Sequence, residues 1–257
     1  MRRASGVTIL VVLLMAGPAS ASVSGAVSAQ LTAAKVGGSP VRAPKVSTPV
    51  GLSVGVSGLS GFTGLPTSVQ LKLQRGFTST VLKALSARCT SSQATAQDCP
   101  VKSQVGTGSM IFSLSGLTLT MPIGLFAGAP SQAGDIATIY FDAKVALGAS
   151  SIPLSIPARL FTPKGGGVEL LADLNIPASL ETIAAASTVQ SLKLSTGVSR
   201  SVTKTVTGKR KHKTTYSLLT TPSKCSGKWT GSAALVFANG TFDQAFSAAC
   251  HKSSKKK

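Results

Sequence analysis

The chain is poor in the residues from which most active sites and sugar-binding platforms are built. Aromatic residues make up 5% of it and charged residues 13%, with seven acidic residues and two histidines in 257 positions. A typical soluble protein has about 25% charged residues. General acid–base catalysis needs positioned carboxylates or histidines. We therefore expect no enzymatic activity, no cofactor and no metal site.

The few carboxylates are also poorly spaced for catalysis. Glu169 and Asp173 would lie on one face of a single strand, about 13 Å apart, whereas the paired carboxyl groups of glycosidases are about 5–9.5 Å apart. A secreted hydrolase acting on a wall polymer remains the alternative hypothesis. It requires the fold to bring two carboxylates into one cleft, drawn from Glu169, Asp173, Asp135, Asp142 and Asp243.

Recognisable catalytic motifs are absent as well. His212 lies inside a basic run and His251 adjoins the C-terminal tail, so neither is placed as the rigid base of a serine triad. The segment 106–109, Gly-Thr-Gly-Ser, resembles a glycine loop, but a strand pattern follows it and the Gly-Lys-Ser/Thr element is missing. We interpret it as a turn.

What is present at the N-terminus is an export signal. Residues 1–3 are Met-Arg-Arg, residues 7–15 form an apolar run, and residues 19–21, Ala-Ser-Ala, fit the small-x-small cleavage rule. A second cleavage site would follow Ala29. Because a transmembrane helix needs about 20 apolar residues, we interpret residues 1–21 as a signal peptide and expect no transmembrane helix in the mature chain. The protein is then secreted or held at the cell envelope.

The four cysteines fit an oxidising compartment. They are Cys89, Cys99, Cys225 and Cys250, and four cysteines allow three pairings. Proximity favours Cys89–Cys99 and Cys225–Cys250, each of which closes a short loop worth roughly 3 kcal/mol in the loop-entropy model. A zinc site would need tight Cys-x2-Cys spacing, which the sequence lacks.

The apolar pattern predicts a mostly β protein. Alternation at residues 69–73 and 110–121, followed by strand-like runs to residue 219, is typical of half-buried strands. Ten or more short strands, many Gly/Pro turns and one short helix favour an antiparallel β-sandwich. We expect residues 22–62 to be a flexible Ala/Ser/Gly/Pro-rich segment with at most a loose edge strand. A disulfide-stapled domain would cover 63–250, and a basic tail 251–257.

Two local patterns give sharper expectations. Phe77, Val81 and Leu85 recur every four residues, which predicts a short helix ending before Cys89. A further turn or two of helix is expected over residues 177–186. Pro153 and Pro157 interrupt one strand, and since proline cannot donate to a sheet ladder, that strand is expected at an edge.

The last predicted hairpin has the strongest turn signal. Asn239-Gly240 separates two apolar runs, and a type I′ turn favours this pair because both of its central residues need positive φ. Such a turn would place Phe237 opposite Phe242. We interpret the glycosylation sequon Asn-Gly-Thr at this point as a consequence of the turn.

One segment resembles a known group of proteins. After the strand at residues 71–73 come Gly76-Phe77, then Cys89, nine residues, and the run Cys-Pro-Val-Lys-Ser-Gln-Val-Gly-Thr-Gly at 99–108. Pro222, Cys225, Gly227, Trp229 and Cys250 follow. This resembles the secreted Cys-Pro-x-x-Ser-x-Val-Gly-Thr proteins of high-GC Gram-positive bacteria, over about residues 67–250. The group has no assigned function, so the resemblance implies compartment and architecture alone.

The basic residues carry the functional hypothesis. The net charge is +19, which favours contact with polyanions. Nucleic acid is disfavoured, because export separates the chain from the genome and the basic run lacks base-stacking aromatics. The alternatives are a merely solvated loop and tail, or a passive scaffold. The residues expected to contact an anionic wall polymer or lipid headgroups are Arg200, Lys204, Lys209, Arg210, Lys211, Lys213, Lys255, Lys256 and Lys257.

Overall fold

The structure is a computed structural model that describes residues 23–41, 43–147, 150–206 and 210–251. The expected signal peptide, Lys209 and the lysine tail with Lys255, Lys256 and Lys257 lie outside the described residues.

Strands dominate the described part of the chain. The fourteen strands are β1 (Ser24–Thr32), β2 (Pro49–Ser60), β3 (Ser68–Leu73), β4 (Gln104–Leu114), β5 (Leu117–Gly128), β6 (Asp135–Leu147), β7 (Ser150–Phe161), β8 (Val168–Asp173), β9 (Ser187–Thr196), β10 (Ser199–Val206), β11 (Arg210–Ser217), β12 (Leu219–Thr220), β13 (Lys228–Phe237) and β14 (Gly240–Ala249). The helices are α1 (Val81–Ala84), α2 (Ser91–Thr95) and α3 (Ala178–Ala186), with a 3-10 turn at Val101–Ser103.

The strands form one large antiparallel sheet and one small one. The large sheet has the order β1-β2-β9-β4-β5-β6-β7-β8-β3-β13-β14, with β12 paired to the end of β2, while β10 and β11 form a separate two-stranded sheet. The expectation of a mostly β, antiparallel fold is confirmed. The finer expectation of two stacked sheets is replaced by a single sheet that curls into a nearly closed, barrel-like shape.

The two ends of the large sheet meet through a side chain. The backbone N–H of Val27 in β1 donates to Oε1 of Gln244 in β14 at 3.1 Å, and Nε2 of Gln244 donates to the carbonyl of Gly25 at 2.9 Å. The ring of Phe242 lies over Gly25, where a Cβ would be 2.7 Å from the ring. The Gln244 amide thus bonds β1 in the way that a neighbouring strand would.

The interval 22–62 is not the flexible segment that its composition suggested. It contains β1 and β2, and β2 lies between β1 and β9 rather than at an edge. Leu52 and Val54 alternate into the core, while a Cβ at Gly51 would be 2.1 Å from the Thr196 carbonyl oxygen. Gly51 thus reflects close packing of strands, because only glycine leaves room for the neighbouring backbone there.

The last hairpin exists, but its predicted register is wrong. Phe237 pairs with Gly240, and Phe242 pairs with Leu235, so the turn is formed by residues 238 and 239. Neither Asn239 nor Gly240 has a positive φ. Asn239 instead donates to the Gly61 carbonyl at 2.8 Å and accepts from the Thr63 N–H at 3.1 Å. Asn239 thus links the last hairpin to the segment after β2, a contact that the local turn signal did not indicate.

A two-residue turn with two positive φ angles occurs elsewhere. Ser115 (φ 49°) and Gly116 (φ 83°) join β4 to β5, and Leu114 pairs with Leu117 across the turn. This is the backbone pattern of a type I′ turn, whose twist matches that of the flanking strands. The turn explains why the apolar alternation over residues 110–121 changes its parity at Gly116.

The helix expected after Phe77 is a single turn. The backbones of Thr78 and Thr80 bond instead to Thr220 and Ser217, which keeps this stretch out of the helix and leaves α1 four residues long. A second short helix, α2, was not expected. It begins with a capping box in which the Thr90 and Gln93 side chains bond each other's backbone N–H. The expected helix near residues 177–186 is present as α3.

The proline-containing strand β7 lies inside the sheet order, between β6 and β8. Its pairing with β8 covers only Ala158 to Phe161, whereas Pro153 and Pro157 pair only with β6. The edge prediction is wrong for the strand as a whole. The prolines nevertheless occupy the part that has no neighbour on the β8 side, where the missing N–H removes no ladder bond.

Both disulfides join the cysteines that sequence proximity favoured. Cys89 is bonded to Cys99 around α2, with Cα atoms 5.0 Å apart, and Cys225 to Cys250 beside the last hairpin, with Cα atoms 6.0 Å apart. Trp229 is 2% exposed and packs edge-on against Phe77. It belongs to the core and is not available as a sugar-binding platform.

The contact between β1 and β14, which we call the seam, predicts that the stability of the fold depends on the exposed residue Gln244. We expect Gln244→Leu to lower the free energy of unfolding by about 1–2 kcal/mol, because two hydrogen bonds worth about 0.5–1.5 kcal/mol each are lost. The control is Gln190→Leu, an exposed glutamine on β9. Urea unfolding of both variants would check this, and equal losses in the two would contradict a sealing role for Gln244.

Candidate functional site

The hairpin of β10 and β11 is an arm outside the large sheet. Its ladder runs from the pair Ser199 and Ser217 to the pair Val206 and Arg210. Positions 200, 204, 209, 210, 211 and 213 are Lys or Arg, and residues 199–217 contain no Asp or Glu. The described basic residues of this run therefore lie on one hairpin, which concentrates positive charge and has no acidic residue of its own.

The base of this arm is fixed to the rest of the molecule. The Ser217 N–H donates to Thr80 Oγ1 at 3.0 Å, and the Thr80 N–H donates to the Ser217 carbonyl at 2.9 Å. The Leu218 N–H bonds the Val198 carbonyl at 3.0 Å. Lys83 of α1 lies 5.8 Å from the centre of the Tyr216 ring. These contacts hold the arm at a defined place on the surface.

The structure places most of the expected basic residues on this arm. Arg200 pairs with Tyr216, and Lys213 pairs with Thr203, and both basic residues are exposed. The backbone register sets Lys204 opposite His212, Lys211 opposite Thr205, and Arg210 opposite Val206. The structure thus brings together five of the nine basic residues singled out from the sequence, and the other four lie outside its described part.

A polar groove, which sequence reasoning missed, lies on the outer face of β1, β2, β9 and β4. Its volume is about 420 Å³. Gln30, Ser53, Ser195 and Thr107 follow one another across the four strands in register, at the spacing of about 4.8 Å between neighbouring strands. Lys193 stands in the next row, so the groove presents hydroxyls, an amide and one ammonium group. The alternation of Ser/Thr with apolar residues was its only signal in the sequence.

The groove adjoins the base of the arm. Its wall includes Gly37, Gly38 and Pro40 from the loop after β1. That loop packs against Gly197, where a Cβ would be 2.9 Å from the Lys35 N–H nitrogen. Since Gly197 directly precedes β10, groove and arm form one continuous surface, which we call the groove–arm surface.

Three of the carboxylates considered for catalysis gather around Arg159. Nη2 and Nε of Arg159 donate to the two oxygens of Asp135 at 2.8 and 3.1 Å, and this pairing holds the pKa of Asp135 below its usual value. Glu169 accepts from Gln70 at 2.6 Å and, like Asp173, lies close enough to attract the guanidinium. The group lies on the outer face of β6, β7 and β8, where Arg159 engages Asp135 and Gln70 engages Glu169.

The other two carboxylates are separate from this group. Asp142 is half-buried on β6, and burial raises its pKa although Ser155 Oγ donates to it at 2.6 Å. Asp243 lies exposed on β14, opposite Ala234. None of the five carboxylates lines the polar groove. The geometry therefore offers the hydrolase hypothesis no pair of carboxylates there.

No helix in the described ranges is long and apolar enough to cross a membrane. No three side chains of His, Cys, Asp or Glu are grouped there as metal ligands would be.

Comparisons with known proteins add little. No protein-family model matches the chain, and no curated protein matches it. Among solved structures, one described as AvmM, which catalyses macrocyclization in alchivemycin A biosynthesis, overlaps 90% of this chain and 91% of its own length. The sequence identity is 10% and the TM-score is 0.28. At this level the match carries no argument about fold or function.

The Asp135–Arg159 ion pair is expected to stabilise the fold at neutral pH, so its removal should lower stability there. Because the pKa of Asp135 is lowered from 3.8, its ionised form stabilises the fold above about pH 4, and this contribution disappears as the pH falls further. We expect Asp135→Asn to lower the melting temperature at pH 7 and to have little effect near pH 2. Thermal unfolding followed by circular dichroism across this range would measure the difference.

Substitution of Asp142 is expected to change the melting temperature at pH 7 in the opposite direction. Its pKa is raised, so the fold favours the protonated form, and that advantage is lost as the pH rises through the folded-state pKa. Asp142→Asn keeps an acceptor for Ser155 and removes the buried charge. We expect a higher melting temperature than the wild type at pH 7 and equal values near pH 2, and a lower value at pH 7 would contradict this account.

Proposed function

We propose that this chain is an exported, non-enzymatic protein that adheres to an anionic, hydroxyl-rich polymer of the cell envelope. The observation that carries the proposal is the anchored β10–β11 arm, with its cluster of Lys and Arg and no acidic residue. Long-range attraction of this kind raises the local concentration of a polyanion and speeds its association.

Charge complementarity extends from the arm to the groove. The strands that form the groove–arm surface, β1, β2, β4, β9, β10 and β11, contain no Asp or Glu. Lys193 and Arg200 are both exposed. A polymer that follows the groove towards the arm would meet positive charge and no fixed negative charge along this path.

The groove supplies the preference for hydroxyl-rich chains. The side chains of Gln30, Ser53, Thr107 and Ser195 have no hydrogen-bond partner in the described protein, so their donors and acceptors are available to a ligand. Hydroxyl and amide groups pair with polyol or sugar hydroxyls. This supports a polyol phosphate or an acidic polysaccharide as partner, rather than the headgroups of a lipid surface.

Export is supported by the disulfides and by the position of β1. The strand begins at Ser24, three residues after the end of the Ala-Ser-Ala site at 19–21. Cleavage after Ala29 would instead remove Gly25 and Val27, which bond Gln244 at the seam. We therefore infer cleavage after Ala21, which leaves β1 complete.

Binding to a defined polymer tests the function. The mature chain would be titrated with a glycerol-phosphate polymer, with a hexuronic acid polysaccharide and with anionic lipid vesicles, across a salt series. We expect saturable binding to at least one polymer that weakens as salt screens the charges. The arm variant Lys209→Gln/Arg210→Gln/Lys211→Gln/Lys213→Gln should lose at least tenfold in affinity, a loss of about 1.4 kcal/mol.

A matched variant separates a local site from net charge. Lys72→Gln/Lys102→Gln/Lys144→Gln/Lys164→Gln removes the same charge from exposed positions away from the groove–arm surface. It should retain most of the affinity. Equal losses in the two variants would overturn a localised site, binding to vesicles alone would overturn the polymer, and no binding at all would favour the passive scaffold.

The groove can be tested apart from the arm. Ser195→Leu would fill the groove and leave every charge in place. We expect it to weaken binding to the hydroxyl-rich polymer while the dependence on salt stays the same. An unchanged affinity would show that the arm acts alone.

A further inference from the structure

We propose that the interior of the large sheet is a binding site for a single unbranched alkyl or acyl chain, reached from beneath α3. This site is separate from the groove–arm surface, and its ligand is neutral along its length. The chemistry that would recognise it is apolar contact alone.

The interior contains a row of voids. One cavity of about 60 Å³ lies under α3, a second of about 50 Å³ lies at the opposite end, and a third of about 20 Å³ lies between them. Val69 and Leu192 line both the first cavity and the middle one, and Val54, Leu71 and Leu194 line both the middle one and the second. Only side chains therefore separate neighbouring voids.

Incomplete filling follows from the size of the sheet. About eight strands enclose an interior that side chains can just fill or that holds one small ligand. Here eleven strands follow one another around the sheet. Small residues also line the cavity under α3, among them Ala143, Ala172 and Ala184. Protein interiors are ordinarily packed with few voids larger than a water molecule, so a row of three is notable.

The voids suit an apolar occupant. In the cavity under α3, the Ser187 hydroxyl is already used, because it donates to the Ile183 carbonyl at 2.6 Å. In the opposite cavity, Thr196 Oγ1 donates to the Leu52 carbonyl at 3.1 Å. A buried water needs two to four polar partners, and apolar cavities without them stay dry and accept apolar guests.

The shape favours a linear chain. The cavities are lined along β9 from Ser187 and Leu192 at the α3 end to Leu194 and Thr196 at the other end. Nine residue steps of strand span about 30 Å. A narrow, extended row of this length matches an alkyl chain better than a compact ring. The polar side chains along it are already hydrogen-bonded, since Gln70 at the middle void donates to Glu169 at 2.6 Å, as Ser187 and Thr196 donate to backbone carbonyls. The head group would remain outside, beside α3.

The α3 end is the more easily opened. α3 covers its cavity with Leu180, Ile183 and Ala184, and its N-cap, Pro177, makes no side-chain capping bond. The opposite end is closed by Leu218 and Leu219. These adjoin Thr220, whose backbone exchanges two hydrogen bonds with that of Thr78, at 2.8 and 3.2 Å. Displacing α3 therefore breaks mainly apolar contacts. Displacing Leu218 and Leu219 at the opposite end would break the backbone hydrogen bonds between Thr220 and Thr78.

Binding of saturated carboxylates of increasing length tests the site. Octanoate, dodecanoate and palmitate would be titrated against the mature chain by displacement of the fluorescent fatty acid cis-parinaric acid. We expect affinity to rise by about fourfold per added methylene while the chain fills the interior. Lysophosphatidylglycerol tests whether the bound chain belongs to a lipid or to a free acid. Binding of both palmitate and lysophosphatidylglycerol supports a head group that stays outside, and binding of palmitate alone supports a free fatty acid as the occupant.

Variants locate the ligand. Ala143→Leu would fill part of the cavity under α3 and should weaken palmitate binding at least tenfold, whereas Ala245→Leu on the exposed face of β14 should not. Magnetisation transfer from palmitate chain protons to the Met110 and Met121 methyl groups, which line the cavity, tests the site in the unaltered protein. The proposal is overturned if no carboxylate binds saturably, if both variants bind alike, or if the methionine methyls receive no transfer.

Discussion

The closure of the large sheet at the β1–β14 seam is the constraint on which the rest of the structure depends. The backbone groups of Gly25 and Val27 are bonded by one side chain, Gln244, and Phe242 covers the same place. An open sheet of this size would expose two edges to pairing with other chains and would leave its apolar face in water. Closure removes both problems and makes the first and last strands neighbours. Residues far apart in the chain are therefore required together for the interior to be sealed.

Close packing of curved strands explains much of the composition. A Cβ at Gly51 would meet the Thr196 carbonyl oxygen at 2.1 Å, and one at Gly106 would meet the Ser195 carbonyl oxygen at 2.5 Å. Glycine is thus needed at these two positions, where the neighbouring backbones approach one another. On the outer face of these strands the small side chains of Ser53, Thr107 and Ser195 leave room for the polar groove. The Ala/Ser/Gly/Pro-rich interval 22–62, whose composition is typical of a flexible segment, thus contributes two paired strands, β1 and β2, to the large sheet.

Strand β9 divides the molecule into two chemical environments. Leu192 and Leu194 face the apolar interior, whereas Lys193 and Ser195 face the polar groove. Because successive side chains of a strand point to opposite faces, a substitution on one side leaves the other side's lining intact. The basic arm then continues from the end of β9 through Gly197. The proposed polymer site and the proposed chain site thus share a wall without sharing a side chain.

Features that rest on local physics could be predicted from the sequence. Cysteine proximity indicated the pairings Cys89–Cys99 and Cys225–Cys250, and period-two alternation indicated most strands. The three-dimensional fold, in contrast, sets which strands are neighbours, and with that the closure, the groove and the row of voids. It also overrode local signals, since Asn239 serves the backbone of residues 61 and 63 instead of a type I′ turn. The physical reason is that closure and these bonds join residues more than 170 positions apart, and no local pattern encodes a partner at that distance.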